Sequence, residues 1–266
     1  MTALKIVKIE GTPFVFRLHP TWYKWLDEAE LLGTHFIKRM QVLLWEMEEN
    51  EENMWPEHSR WLAAFEDDPE KIRVVLLGQD PYPTPHRATG HSFEIAGMAD
   101  DSLRTIYAAI HRQYPKARID YDCGDLSHWR NQGVLLLNAA LSVCGSRLRP
   151  GRRNGEPVME NRPRQIFKYW SRYTKGALRV LCERRPYLVF LLWGRHATNF
   201  HTLPTGPIKG HHGVMMSYHP SDLAKTVKNP GNPPLDLFEE VEHFSLVNDL
   251  LLEHHLDPID WSTLPP

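Results

Sequence analysis

The sequence predicts an α/β protein, a three-layer α/β/α sandwich built on a central, mainly parallel four-stranded sheet. Short apolar runs ending at a turn or polar residue recur along the chain: Val74 to Leu77 before Gly78, Val134 to Leu137 before Asn138, and Leu188 to Trp193 before Gly194, with a shorter run at Val214 to Ser217. Continuous runs of that length are how strands buried on both faces read. Stretches with helical spacing fall between them, the alternation that a parallel sheet needs for its crossovers. The first run opens onto a polar burst at Gln79 and Asp80, and in open α/β sheets ligands bind just beyond the carboxyl ends of strands.

A chain of 266 residues with 42% hydrophobic content can bury a large core as one domain. The reading is a single domain over 1–266, with residues 1–20 as an N-terminal extension, 145–164 as a basic insertion and 224–236 as an extended loop. No run approaches 18 apolar residues, and MTALKIVKIEG lacks the apolar centre of a signal peptide, so a protein of the cytoplasm, or of the nucleus in a eukaryotic host or virus, is expected rather than a secreted or membrane one. The 3 cysteines, Cys123, Cys144 and Cys182, show no metal spacing and are expected as reduced thiols. A formal charge of −2 argues against nucleic-acid binding through overall charge. Local asymmetry is present, since Glu46, Glu48, Glu49, Glu51 and Glu52 cluster early whereas residues 145–185 carry 12 basic and 3 acidic residues.

In chain order, Lys5 to Ile9 and Pro13 to Leu18 alternate around Gly11 and Thr12, which predicts a hairpin. Residues 21–50 place Trp22, Trp25, Leu26, Phe36, Met40 and Leu43 at helical spacing, for one helix or two. A helix capped by Ser102 is expected to run to Tyr114. Another is expected from Gln165 to Leu181, crossing back to the third strand, and a final one from about Leu237 to His255.

The loop after the first strand reads GQDPYPTPHRATGHSF. Pro81, Pro83 and Pro85 fix φ at alternate positions and stiffen it around Asp80; on composition alone a proline-rich surface turn explains it equally well. The stretch resembles the first signature of the family 1 uracil-DNA glycosylases, with Gly78, Gln79, Asp80, Pro81, Tyr82, Pro85, Gly90 and Phe93 in register. Gly133 to Asn138 (GVLLLN), Val189 to Gly194 (VFLLWG) and His219 to Leu223 (HPSDL) are similar to three further family motifs in the same order, and Pro258 to Trp261 to the family's tail.

The resemblance implies hydrolysis of the bond between uracil and deoxyribose, without metal or organic cofactor. It assigns Asp80 to activating water and stabilising a cationic sugar, and His219 to donating to uracil O2, with a backbone N–H near Gln79 assisting. Tyr82 would fill the space of a C5 methyl, Phe93 would stack on the base, and Asn138 would read N3–H and O4. Leu223 would be the wedge that replaces the extruded base, with Pro85, Ser102, Gly194, Arg195 and Ser221 at the DNA backbone. Arg147, Arg149, Arg152 and Arg153 of the basic insertion are further candidates for phosphate contact, against the plain alternative of a solubilising loop. Uracil-containing single- and double-stranded DNA is the implied partner of a monomer, and a proteinaceous uracil-DNA glycosylase inhibitor is a candidate second one.

Departures from the family pattern are Pro83 and Thr89 in place of histidines, Asp222 in place of a proline, and Met98 Ala99 Asp100 Asp101 where prolines precede Ser102. A rival of another class is a non-catalytic DNA-binding or replication accessory protein that keeps the fold; intact Asp80, Tyr82, Phe93, Asn138 and His219 favour the enzyme. A metal hydrolase built on His211, His212 and His219 lacks a carboxylate-histidine motif. If Leu223 is the wedge, Leu223→Ala impairs release of uracil from duplex DNA by a few kcal/mol, the scale of the unstacking it no longer offsets, and impairs single strands much less. Release rates on matched substrates measure it, and equal losses on both assign Leu223 to packing.

Overall fold

A computed structural model describes residues 2–50, 54–84, 86–144, 147–150, 157–160, 163–202, 206–208, 211–221 and 235–264. The chain opens with an antiparallel hairpin, β1 (Lys5–Lys8) on β2 (Val15–Leu18). Alternation turns Phe16 and Leu18 inward and leaves Val15 and Arg17 outside, so the N-terminal extension contributes to the core. Helix α1 (Pro20–Glu28) starts with proline in its first turn, where a missing N–H costs nothing. In α2 (Thr34–Asn50) the buried residues Phe36, Met40 and Leu43 recur at one-turn intervals.

The short strand β3 (Met54–Trp55) leads through two 3-10 turns to β4 (Val74–Gly78). Helices α3 (Asp101–Gln113) and α4 (Ser127–Asn131) follow, then β5 (Val134–Asn138) and β6 (Val143–Cys144), which pairs with β3. Strands β7 (Arg147–Pro150) and β8 (Pro157–Glu160) form an antiparallel ribbon within the basic insertion. Helix α5 (Pro163–Arg184), β9 (Val189–Trp193), α6 (Arg195–Thr202), β10 (Gly213–Ser217) and α7 (His243–Glu253) complete the order.

Strands β10, β9, β4 and β5 lie side by side in that order and all run parallel. Successive side chains point to opposite faces and serve two cores. Val75, Leu77, Leu135, Leu137, Phe190 and Leu192 pack with the N-terminal hairpin, α1, α2 and α5. Val74, Leu76, Leu136, Val189 and Leu191 pack with α3, α4, α7 and the tail. The three-layer expectation is met. No helix among the described residues is long and apolar enough to cross a membrane.

Two helix starts differ from expectation. Asp100, and not Ser102, caps α3: its carboxylate accepts from the Leu103 N–H at 2.9 Å. An ionised cap two residues upstream captures the first turn and suits the positive end of the helix dipole. The last helix begins at His243, behind a 3-10 turn at Phe238–Glu240. Its first turn is capped from outside, by Gln113 of α3 accepting from the N–H groups of Phe244 and Ser245 at 2.9 and 3.0 Å.

The tail is fastened by Asn248 on α7, whose amide donates to the Ile259 carbonyl at 3.0 Å and accepts from the Ile259 N–H at 2.8 Å. Both bonds are buried, and unmaking them strands two backbone groups. Asn248→Ala is expected to destabilise the protein by about 2–4 kcal/mol, from the roughly 1–3 kcal/mol cost of each unsatisfied group, read as a lower urea midpoint at unchanged slope.

Candidate active site

The sheet order has β4 in the interior with its successor β5 on one side and β9 on the other. That is a topological switch point, where carboxyl ends diverge and leave a crevice. A cavity of about 510 Å³ occupies it, lined from all four strand ends: Gly78 to Pro83 after β4, Asn138 at the end of β5, Trp193 and Gly194 after β9, and Tyr218 and His219 after β10. Gln79, Asp80, Tyr82, Phe93, Ser102, Asn138, Gly194, Arg195, His219 and Ser221 all line it.

The floor depends on a close approach. Gly78 pairs with Asn138 across β4 and β5, and a Cβ at residue 78 would stand 2.3 Å from Asn138 Oδ1 and 2.8 Å from Ser92 Cβ. Only glycine leaves room for the Asn138 amide there. The chain beyond is tied down as well, with Ala139 N–H donating to the Gly78 carbonyl and Ala140 N–H to the Gln79 carbonyl, each at 2.9 Å.

Asp80 follows directly. Burial pushes its carboxyl up from 3.8 to about 6, since a charge is disfavoured where water is excluded. Tyr82, two residues on, donates from its hydroxyl to the Phe93 carbonyl at 3.3 Å. Burial, reinforced by the neighbouring Asp100 carboxylate, raises its phenol well above the ordinary range. Phe93 holds a φ of +61°, uncommon for an aromatic L-residue. Its ring lies nearly parallel to His219, at 24° and 5.5 Å between centroids, and edge-on to Trp193 at 5.4 Å.

Burial lowers the pKa of His219, against the opposing pull of Asp100, so the imidazole is neutral at pH 7. Its Nδ1 accepts from the Ser221 N–H at 3.1 Å, which leaves the proton of the neutral ring on Nε2. Gly194, at φ +86°, lets the chain pass beside that ring, where a Cβ would meet His219 Cβ at 3.3 Å. Arg195 opens α6. Ser102 lies in the first turn of α3 on the cavity wall.

Pro85, Arg152, Arg153 and Leu223 lie outside the described residues, as does most of the 224–236 loop, and Arg147 and Arg149 are described only as backbone of β7. The metal-hydrolase alternative fails on position. His211 and His212 precede β10, bonded to the carbonyls of Pro186 and Cys182, while His219 follows it. Five strand residues, roughly 16 Å at 3.3 Å each, separate the two ends. Residues not singled out as site members by the sequence include Asp100, beside both Tyr82 and His219, and Trp193, which braces Phe93. The terminal Trp of VFLLWG was the available signal for the second.

The model of the uracil DNA glycosylase superfamily matches residues 65–242. A uracil-DNA glycosylase of Campylobacter lari is 31% identical over 92% of this chain and 95% of its own, and one of Dichelobacter nodosus is 31% identical over 95% and 99%. Among solved structures, mimivirus uracil-DNA glycosylase superposes with a TM-score of 0.71 at 24% identity, covering 92% of this chain and 87% of that one. A variant of the mimivirus enzyme, solved in complex with UGI, superposes with a TM-score of 0.69 at 24% identity over 91% and 88%. A family match that spans the strands and loops of the cavity, with relatives alike over almost their whole length, establishes that the chain belongs to the uracil DNA glycosylase superfamily.

Proposed function

We propose that the chain is a uracil-DNA glycosylase that removes uracil from single- and double-stranded DNA, the opening step of base excision repair. The observation that supports this best is the meeting of a desolvated carboxylate, a flat aromatic slot and a neutral imidazole in one cavity. A flipped uracil stacks on Phe93, with Tyr82 where a C5 methyl would stand and the Asn138 amide at N3 and O4. Apolar contact alone separates one methylene by only about 1–3 kcal/mol, so thymine is rejected best by a wall that cannot yield. The hydrogen bond from Tyr82 to the Phe93 carbonyl provides one.

Cleavage of C1′–N1 leaves both electrons on the base and positive charge on the sugar. The His219 Nε2–H meets charge gathering on O2, and the Asp80 carboxylate faces the cationic sugar. Water held by Asp80 then adds to C1′ and gives up its proton to it. Ser102, Ser221, Gly194 and Arg195 are proposed to hold the flanking phosphates. Leu223 is proposed as the wedge, and the β7–β8 insertion with Arg147, Arg149, Arg152 and Arg153 as an added phosphate contact. We assign the chain a single domain and a monomeric state, and the mimivirus complex supports a proteinaceous inhibitor as a second partner.

The test is release of uracil from a deoxyuridine oligonucleotide in EDTA, scored by alkaline cleavage of the abasic site. Asp80→Asn is expected to keep DNA binding and lose at least tenfold in rate, roughly 1.4 kcal/mol or more of transition-state stabilisation. No release by the wild type would favour a non-catalytic DNA-binding protein. Tyr82→Ala is expected to release thymine, and intact uracil activity without thymine release would place the methyl barrier elsewhere.

The Asp80 shift also has a sign that can be checked. Reaction needs the carboxylate, so kcat/KM should rise with pH through an apparent pKa near 6 and level off above it. Stability runs the other way: a carboxyl with a raised folded pKa favours the native state below its unfolded pKa, and that contribution is lost as pH rises through about 6. Asp80→Asn should therefore raise the melting temperature at pH 8 and leave it unchanged at pH 3. The upper bound is about 3 kcal/mol at roughly 1.36 kcal/mol per pKa unit, and solvent at the cavity mouth reduces it.

A further inference from the structure

A chain of charged side chains, buried at His91 and Glu94 and partly exposed at Arg130 and Asp67, meets the cavity wall at His91 and takes no part in the chemistry above. Arg130 of α4 pairs through Nε with Asp67 Oδ2 at 3.1 Å and through Nη1 with Glu94 Oε2 at 3.3 Å. Glu94 Oε1 meets His91 Nδ1 at 3.0 Å, and its Oε2 also accepts from the Leu126 N–H at 3.3 Å. His91 and Glu94 are only 3% and 6% exposed. Burial alone would raise the Glu94 carboxyl, yet the hydrogen bond and charge of His91, with the charge of Arg130, hold it at about 2. Burying the Glu94 end of such a cluster is costly, and the ion pair is weak evidence of stabilisation for its own sake.

Its position suggests its use. Phe93 sits between Ser92 and Glu94, in a left-handed backbone conformation that persists only where surroundings over-determine it. On one side Ser92 is pinned to the sheet, its hydroxyl donating to the Leu76 carbonyl at 2.9 Å and its N–H to the Leu136 carbonyl at 3.2 Å. On the other side the Glu94 side chain is held from three directions, by His91, Arg130 and Leu126. Were either anchor released, the backbone at Phe93 would relax toward the extended region and swing the ring away from Trp193 and His219.

We infer that Glu94, clamped by His91, the Leu126 N–H and Arg130, with Arg130 itself held by Asp67, is a positioning residue that locks the backbone of Phe93 and thereby fixes the plane on which the base stacks. The inference rests on reading the cavity as a uracil slot. A role confined to tying α4 to the 67–68 turn would stabilise the protein and leave base binding untouched, which separates the two by experiment.

The probe is free uracil as an inhibitor of oligonucleotide cleavage, with KM for a single-stranded deoxyuridine oligonucleotide measured alongside. Glu94→Ala should raise both the inhibition constant and KM by roughly tenfold, the scale of releasing one strained backbone conformation, with a smaller change in kcat. Phe93→Ala should weaken uracil inhibition similarly, and the double variant should be no worse than Phe93→Ala alone, because Glu94 acts only through that ring. Glu94→Gln, which keeps an acceptor for the Leu126 N–H, should restore most of the inhibition. Additive losses in the double variant, or a lowered melting temperature with unchanged uracil inhibition, would overturn the inference. Should Glu94→Ala yield no folded protein, Arg130→Lys enters the same cycle with the same two outcomes. Wild-type protein that neither releases nor binds uracil defeats the proposed function instead.

Discussion

A carboxylate largely withdrawn from water at the carboxyl end of the sheet is the constraint on which the site depends. Burial is the cause of the upward shift at Asp80, and no cationic side chain among the described residues holds its pKa down. In the free protein that charge is poorly stabilised, and on the proposed reading a close counter-charge arrives when the sugar becomes cationic. An interaction that is weak in the ground state and strong in the transition state is the kind that accelerates a reaction. Keeping it so requires walls that do not flex, and the parallel sheet with both faces buried provides them.

Electrostatics around the cavity rim follow from the same need. The carboxylate of Asp100 is taken up by the α3 N-terminus at the Leu103 N–H, and its charge acts on both Tyr82 and His219. Asp100 thus occupies part of the positive end of a helix that would otherwise suit an incoming phosphate. If the chain grips a DNA backbone as proposed, the first turn of α6, at Gly194 and Arg195, is better placed for it than the Ser102 side. Burial of His219 outweighs the pull of Asp100, which keeps the ring a neutral donor.

How far each feature could be read from the sequence depends on how local its causes are. The four strands were legible because each is a run of apolar residues with a turn at its end, and the hairpin because Phe16 and Leu18 alternate with Val15 and Arg17. Asp80, Tyr82, Phe93 and Asn138 stood out through their motifs, and the fold brings them to one cavity. The cap of α3 was misjudged because Asp100 and Ser102 are equally good caps on paper. The start of α7 was hidden because Gln113, some 130 residues away, closes its first turn. The pairing of Arg130 with Glu94 and Asp67 is likewise non-local, and nothing in an isolated Glu or Arg announces it.

Phe93 joins two demands that might be thought separate. Its ring is the proposed stacking surface, while its carbonyl accepts from the Tyr82 hydroxyl that holds the proposed methyl barrier in place. Both groups hang on one residue at φ +61°, so any motion that turns the ring away from His219 also moves the carbonyl on which Tyr82 leans. On the proposed reading, affinity for the base and rejection of its methylated analogue are then coupled through one backbone conformation. Discrimination by a rigid wall is only as good as the wall's least rigid anchor. That places the demand for rigidity on the buried polar contacts flanking Phe93, Ser92 on the sheet side and Glu94 on the α4 side, neither of which faces the base slot.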